Sequence, residues 1–171
     1  MNRNFIFAFT LLAIIFMVNA APQRLSRRET VTFNDCPIKG ASTLTVAIVP
    51  NPIVASSVAS FTVTGILGSD VTAGETKLAV GFADESGQKL LEEVYYQTFT
   101  TSFKAGDKVT IEASSVTTPV LPSVYTVGVA IGDPKVGSPF VPLDIFGCAY
   151  AVVGDSSKAS FPFDTISGAS T

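Results

Sequence analysis

Between residues 31 and 153 apolar and polar positions alternate in short runs, broken by clusters of Gly, Pro, Asn, Asp and Ser. Side chains along a strand point to opposite faces in turn, so alternation of this kind marks half-buried strands, and regular turn clusters mark an antiparallel sandwich or barrel. Eight strands are predicted on this pattern. The first covers residues 31–36. The second, 44–49, places Leu44, Val46 and Ile48 on one face and stops at Pro50-Asn51-Pro52. The third, 58–67, sets Ala59, Phe61, Val63 and Leu67 against Ser60, Thr62 and Thr64, and the fourth, 76–82, turns Leu78, Val80 and Phe82 inward. Asp84-Glu85-Ser86-Gly87-Gln88 then suits a hairpin connection. The fifth run, 89–99, is less regular: Glu92 and Glu93 are adjacent and cannot both reach solvent from a flat strand, which implies a bulge or an edge position. The sixth, 108–113, has Val109 and Ile111 inward; the seventh, 124–131, has Tyr125, Val127, Val129 and Ile131; the eighth, 145–153, has Phe146, Cys148, Tyr150 and Val152. No run of helical period is long enough for a stable helix, and no internal repeat is visible.

The two ends follow other rules. Arg3, the apolar run 5–18 and Val18-Asn19-Ala20 have the order of a signal peptide over residues 1–20, and 14 residues fall short of the roughly 20 that a membrane-spanning helix needs. Residues 21–28 end in Arg27-Arg28 and read either as a pro-segment with a dibasic processing site or as a basic linker. The domain is then expected over 29–154. Residues 155–171, rich in Ser and Ala with Phe161-Pro162-Phe163 as their only apolar feature, read as a loosely held tail. The expected location is secreted or extracellular, or vacuolar by way of the secretory pathway.

Composition narrows the chemistry. Beyond residue 28 the chain holds no Arg and 7 Lys against 14 Asp and Glu, a formal charge of −7 that argues against a nucleic-acid partner. There is no His, so the usual general base and the main zinc ligand are both missing. The acids Glu92, Glu93, Glu112 and Asp144 are the candidates for a glycosidase pair, but adjacent strand residues diverge and the others sit in polar surroundings. Calcium at Asp133 or Asp144 is an equally weak reading. The expectation is a protein without catalytic residues, metal or cofactor. Cys36 and Cys148, the only cysteines, are expected to pair in an oxidising compartment and so to join the ends of the domain.

Cys36 near the domain start, Pro50-Asn51-Pro52, Phe61-Thr62-Val63-Thr64-Gly65, Val71-Thr72-Ala73-Gly74, the run from Leu121 through Val127, and Cys148 in the last strand carry a further signal in their order. Over most of residues 31–153 the chain resembles the ML lipid-recognition domain family, which includes the Niemann-Pick type C sterol-binding proteins and the fungal phosphatidylglycerol and phosphatidylinositol transfer proteins. Family members typically carry six cysteines in three bridges, and only the first and last have counterparts here, the mark of a divergent member.

The resemblance implies an all-β, immunoglobulin-like antiparallel β-sandwich with a hydrophobic cavity between its sheets. It implies a lipid partner, sterol or phospholipid, transient membrane contact and a monomeric chain. The lining candidates are Phe61, Val63, Leu78, Val80, Phe82, Val94, Tyr96, Phe99, Phe103, Val109, Ile111, Val127, Val129, Phe140 and Phe146. Periodicity does not distinguish a lined cavity from a filled core. The alternative reading is an immunoglobulin-like module acting through its surface, as an adhesin, a wall-associated protein or an effector; a carbohydrate-binding sandwich would have to rely on Tyr, since Trp is absent.

Overall fold

The structure is a computed structural model that describes residues 30–135 and 143–154. The signal-like and dibasic segments, Phe140 and the Ser-rich tail lie outside the described residues. Every regular element among the described residues is a strand: β1 (Asn34–Asp35), β2 (Ser42–Val49), β3 (Val58–Ile66), β4 (Lys77–Ala83), β5 (Tyr95–Thr98), β6 (Lys108–Thr117), β7 (Tyr125–Pro134) and β8 (Leu143–Val153). Val, Ile, Thr, Tyr and Phe fill them, as expected for residues that suit a pleated, half-buried surface.

One sheet has the order β5-β4-β7-β8 and the other β2-β3-β6, and the two pack as an immunoglobulin-like sandwich. β2 belongs to both. Its Ser42 and Thr43 run parallel to Gly147 and Cys148 of β8, after which residues 44–49 pair antiparallel with β3. All other named strand pairs are antiparallel, and β1 adds two residues to the same edge of β8.

The second sheet has the simple form the sequence predicts. β6 alternates from Val109 through Ala113 between buried and exposed positions, and β2 buries Leu44 and Ile48 with Val46 half-buried. The first sheet differs: β4 and β7 are buried at almost every position, because both faces are covered. The face away from the sandwich interior carries Ala79, Gly81 and Ala83, and a Cβ on Gly81 would lie 3.6 Å from Val94 and 3.9 Å from Leu90. Further along that face, Ala130 and Cys148 form a second small cluster with Cys36, Ile38, Ala41, Ile145 and Tyr150. Segments 36–41 and 88–94 thus make a partial third layer.

This layer corrects the predicted face of the eighth strand. Val127 pairs with Ala151, Val129 with Ala149 and Ile131 with Gly147, so Gly147, Ala149 and Ala151 share the inward face. Cys148, Tyr150 and Val152 point the other way. A bulge lies between Ile131 and Gly132, where a Cβ on Gly132 would collide with the Asp144 backbone; only glycine permits that approach. The inward side chains of β8 are small because the opposite sheet reaches across to them: a Cβ on Gly147 would lie 2.6 Å from Leu67 Cδ2 and 3.1 Å from Leu44 Cδ2.

Boundaries shift for local reasons. The first strand shrinks to two residues, with Val31 held instead by the Asn51 side chain: Val31 N–H donates to Asn51 Oδ1 at 2.8 Å, and Asn51 Nδ2 donates to Val31 O at 3.2 Å. The fifth begins only at Tyr95, and Glu92 and Glu93 precede it as exposed residues. Thr118 fastens the β2–β3 connection: its hydroxyl lies 2.6 Å from Val54 O as donor and accepts from Ser57 N–H at 3.0 Å. Cys36 and Cys148 are disulfide-bonded across 112 residues of chain, which ties the start of the domain to its last strand. Lys104 and Asp70 form an exposed ion pair at 2.7 Å, and Asp70 also accepts from Ala105 N–H at 2.8 Å; such a pair orders a loop more than it stabilises a fold.

Candidate functional site

The two sheets are joined differently on their two sides. On one, β2 passes from β8 to β3, so main-chain hydrogen bonds run continuously between sheets. On the other, β5 pairs only with β4 and β6 only with β3 among the described residues. The free edges of β5 and β6 face each other there. Among the described residues a single side-chain bond crosses the gap, from Gln97 Nε2 to Glu112 O at 3.0 Å.

The register explains which residues meet in this seam. Tyr95 is paired with Val80 and Gln97 with Leu78, so both belong to the inward face of β5. Tyr95 packs its ring against the core, and its hydroxyl donates to Gln97 Oε1 at 3.0 Å, which orients the amide that reaches β6. Leu91 and Phe103, half-buried, pack against the same core, and Phe99 is buried in it. Phe99 and Phe103 meet edge to face with centroids 6.4 Å apart, and the Phe103 backbone bonds to Val71 on both sides. At one end the seam widens into an open groove of about 660 Å³, lined by Ser56, Ser57, Val58, Leu91, Glu92, Thr117, Thr118, Pro119 and Val120. Val58 and Val120 are 53% and 77% exposed there.

Of the predicted lining residues, Phe61, Val63, Leu78, Val80, Phe82, Phe99, Val109, Ile111, Val127 and Val129 belong to one buried cluster shared by both sheets, with Phe103 and Phe146 against its margin. They pack on one another: Phe61 of β3 meets Phe82 of β4 edge to face, centroids 6.4 Å apart, so the sheets are in contact at that level. Two predicted residues lie elsewhere. Tyr96 is opposite Ala79 on the outward face and 37% exposed, with the Lys77 ammonium 5.8 Å from its ring centroid. Val94 covers Gly81 on that same outward face. Sequence reasoning took Tyr96 for Tyr95 because a strand running from 89 gives no signal for which face is inward; it missed Tyr95, Gln97 and Leu91 for the same reason.

The groove at the end of the seam carries one acid, Glu92. Glu93 is close enough to Tyr96, on the outward face of β5, to act on it: burial first, and the Glu93 charge second, push the Tyr96 phenol above its ordinary range. Burial alone pushes Tyr125 up. Asp84, at the start of the β4–β5 connection, is held below the usual carboxylate range, chiefly by the Ser86 hydroxyl at 2.7 Å. Asp133 and Asp144 stand directly opposite one another on β7 and β8, and Asp133 accepts from the buried Thr76 hydroxyl at 2.6 Å. No group of three or more His, Cys, Asp or Glu is placed to hold a metal among the described residues.

No family model and no curated protein matches this sequence. Among solved structures the chain is similar to chicken MD-1, crystallised in complex with lipid IVa: the two are 14% identical, with a TM-score of 0.45, over 72% of this chain and 88% of that one.

Proposed function

We propose that the protein binds a lipid without chemical change, taking its alkyl portion between the sheets through the β5–β6 seam, and that it does so outside the cell or in a compartment of the secretory route. The observation that carries this reading is the asymmetry of the sandwich. Parting the sheets along the β2 side would break backbone ladders. Parting them along the seam breaks one side-chain hydrogen bond, a net cost of about 0.5–1.5 kcal/mol, and separates apolar side chains that an alkyl chain would contact in their place. Each methylene so buried contributes about 0.8 kcal/mol. The interior walls suit such a guest, since no buried side-chain polar atom among the described residues lacks a partner.

Lipid extraction and native mass spectrometry of the purified protein, with uptake of a fluorescent sterol and a fluorescent phospholipid, test the reading. Co-purifying lipid or saturable uptake is expected; neither, with the protein folded, overturns it. The contact between Phe61 and Phe82 favours a second reading, a closed module whose surface alone is used. In that case probe uptake is absent and the partner is a macromolecule.

A further inference from the structure

Resting on that lipid reading, we infer that the Tyr95–Gln97 pair receives the polar end of an uncharged, hydroxyl-bearing lipid, so that the ligand is a lipid alcohol and not an anionic phospholipid. The pair sits where the apolar interior meets the surface: Tyr95 has its ring on the core and its hydroxyl on Gln97, and Gln97 spans to Glu112 O. Its hydrogen-bonding capacity is not exhausted. The Gln97 amide keeps a second N–H, and the Tyr95 oxygen keeps acceptor lone pairs. One free donor beside a free acceptor complements an alcohol, which is itself both donor and acceptor.

The charges nearby act against an anion. Glu92 lies in the groove at the end of the seam, and the Glu112 carbonyl oxygen that holds Gln97 is itself an acceptor. Lys77 and Glu93 both act on Tyr96, on the opposite face of the strand from the pair. A phosphate or sulfate brought to the seam would meet acceptor oxygens and, at the groove, the Glu92 carboxylate, whereas phosphate recognition ordinarily relies on ammonium or guanidinium groups. A neutral hydroxyl meets no such penalty.

The test compares two ligands with the same tail, dodecanol and dodecyl sulfate, at micromolar concentrations below micelle formation, each competing with a fluorescent alkyl probe on the intact disulfide-bonded protein. A sterol and phosphatidylglycerol vesicles form the second pair and show whether the alcohol is carried on a ring system or a chain. Dodecanol is expected to bind at least about tenfold more tightly than dodecyl sulfate. Tyr95→Phe, which keeps the ring, should weaken dodecanol by about five- to tenfold and leave the hydroxyl-free probe unchanged; Gln97→Glu, a second variant, should weaken it as well. Equal or tighter binding of the sulfate or of phosphatidylglycerol overturns this inference and leaves the lipid reading standing. Failure of the probe and of every competitor to bind overturns both.

Discussion

Gly147 and Leu67 offer a quantitative check on the orientation of β8. Gly147→Ala would place a methyl 2.6 Å from Leu67 Cδ2, 3.1 Å from Leu44 Cδ2 and 3.2 Å from Ser42 O. Two of these neighbours are side-chain ends, but both leucines are almost wholly buried and have little room to turn. Overpacking of this kind costs about 1–3 kcal/mol. Leu67→Ala leaves a void instead and costs about 2–5 kcal/mol. If the two side chains share one space, the methyl of the first substitution fills part of the void left by the second. The double variant should therefore lose less than the sum of the single losses, by about 1 kcal/mol or more. Urea unfolding with the disulfide intact measures this: at a slope of about 2 kcal/mol per molar, that coupling moves the midpoint by about 0.5 M from the additive value. Strict additivity, or a Gly147→Ala variant as stable as the parent, would mean that position 147 points away from the interior and that β8 does not pair with β7 in this register.

Three further outcomes are expected. Thr118→Val keeps the side-chain volume but strips a partner from Val54 O and Ser57 N–H, and should lower unfolding free energy by about 1–3 kcal/mol in the same assay. Replacing Cys36 and Cys148 together by Ser opens a 112-residue loop and should cost about 4.8 kcal/mol in the chain-entropy treatment, read as a fall in thermal midpoint; an unchanged midpoint would deny the bridge its stabilising role. Tyr125, 5% exposed and raised by burial, keeps its stabilising contribution in full below the unfolded phenol value of about 10 and loses it as pH rises through the folded value. Unfolding free energy should therefore fall less steeply above pH 10 in Tyr125→Phe than in the parent, and parallel curves would refute the assignment.

The legible part of the fold is the part with one wet face. β2, β3 and β6 carry Thr and Ser outward against Leu, Val, Ile and Phe inward, and a period of two identifies both their extent and their orientation. β4 and β7 were legible as strands with the right inward residues, but not as strands covered twice, because coverage by residues 36–41 and 88–94 is a tertiary fact. β8 was legible as a strand and read on the wrong face from Cys148 onward; Phe146, at the bulge, packs against the core as read. Ranking faces by side-chain size selects Phe146, Cys148, Tyr150 and Val152, yet in a doubly covered sheet the smaller face turns inward wherever the opposite layer supplies the bulk, as Leu44 and Leu67 do over Gly147. The disulfide followed from cysteine count and compartment alone, without knowledge of either face.

The seam shows where sequence and structure exchange roles. Adjacent Glu92 and Glu93 signalled an irregular or edge segment, and the structure makes both residues exposed just before a four-residue edge strand. That signal said where pairing stops, but not that the unpaired edge would face the equally unpaired edge of β6, since no local rule links residues 97 and 112. Once they are brought together, the physics is uneven in an informative way. Elsewhere the sheets are held by ladders and by contacts such as Phe61 with Phe82; here a tyrosine, a glutamine and one carbonyl stand at the margin of an apolar core. A polar relay at such a place adds little to stability, because its bonds are exchanged for water at small net gain. Its position at the weakest junction of the sandwich is better matched to recognising what enters than to holding the fold shut.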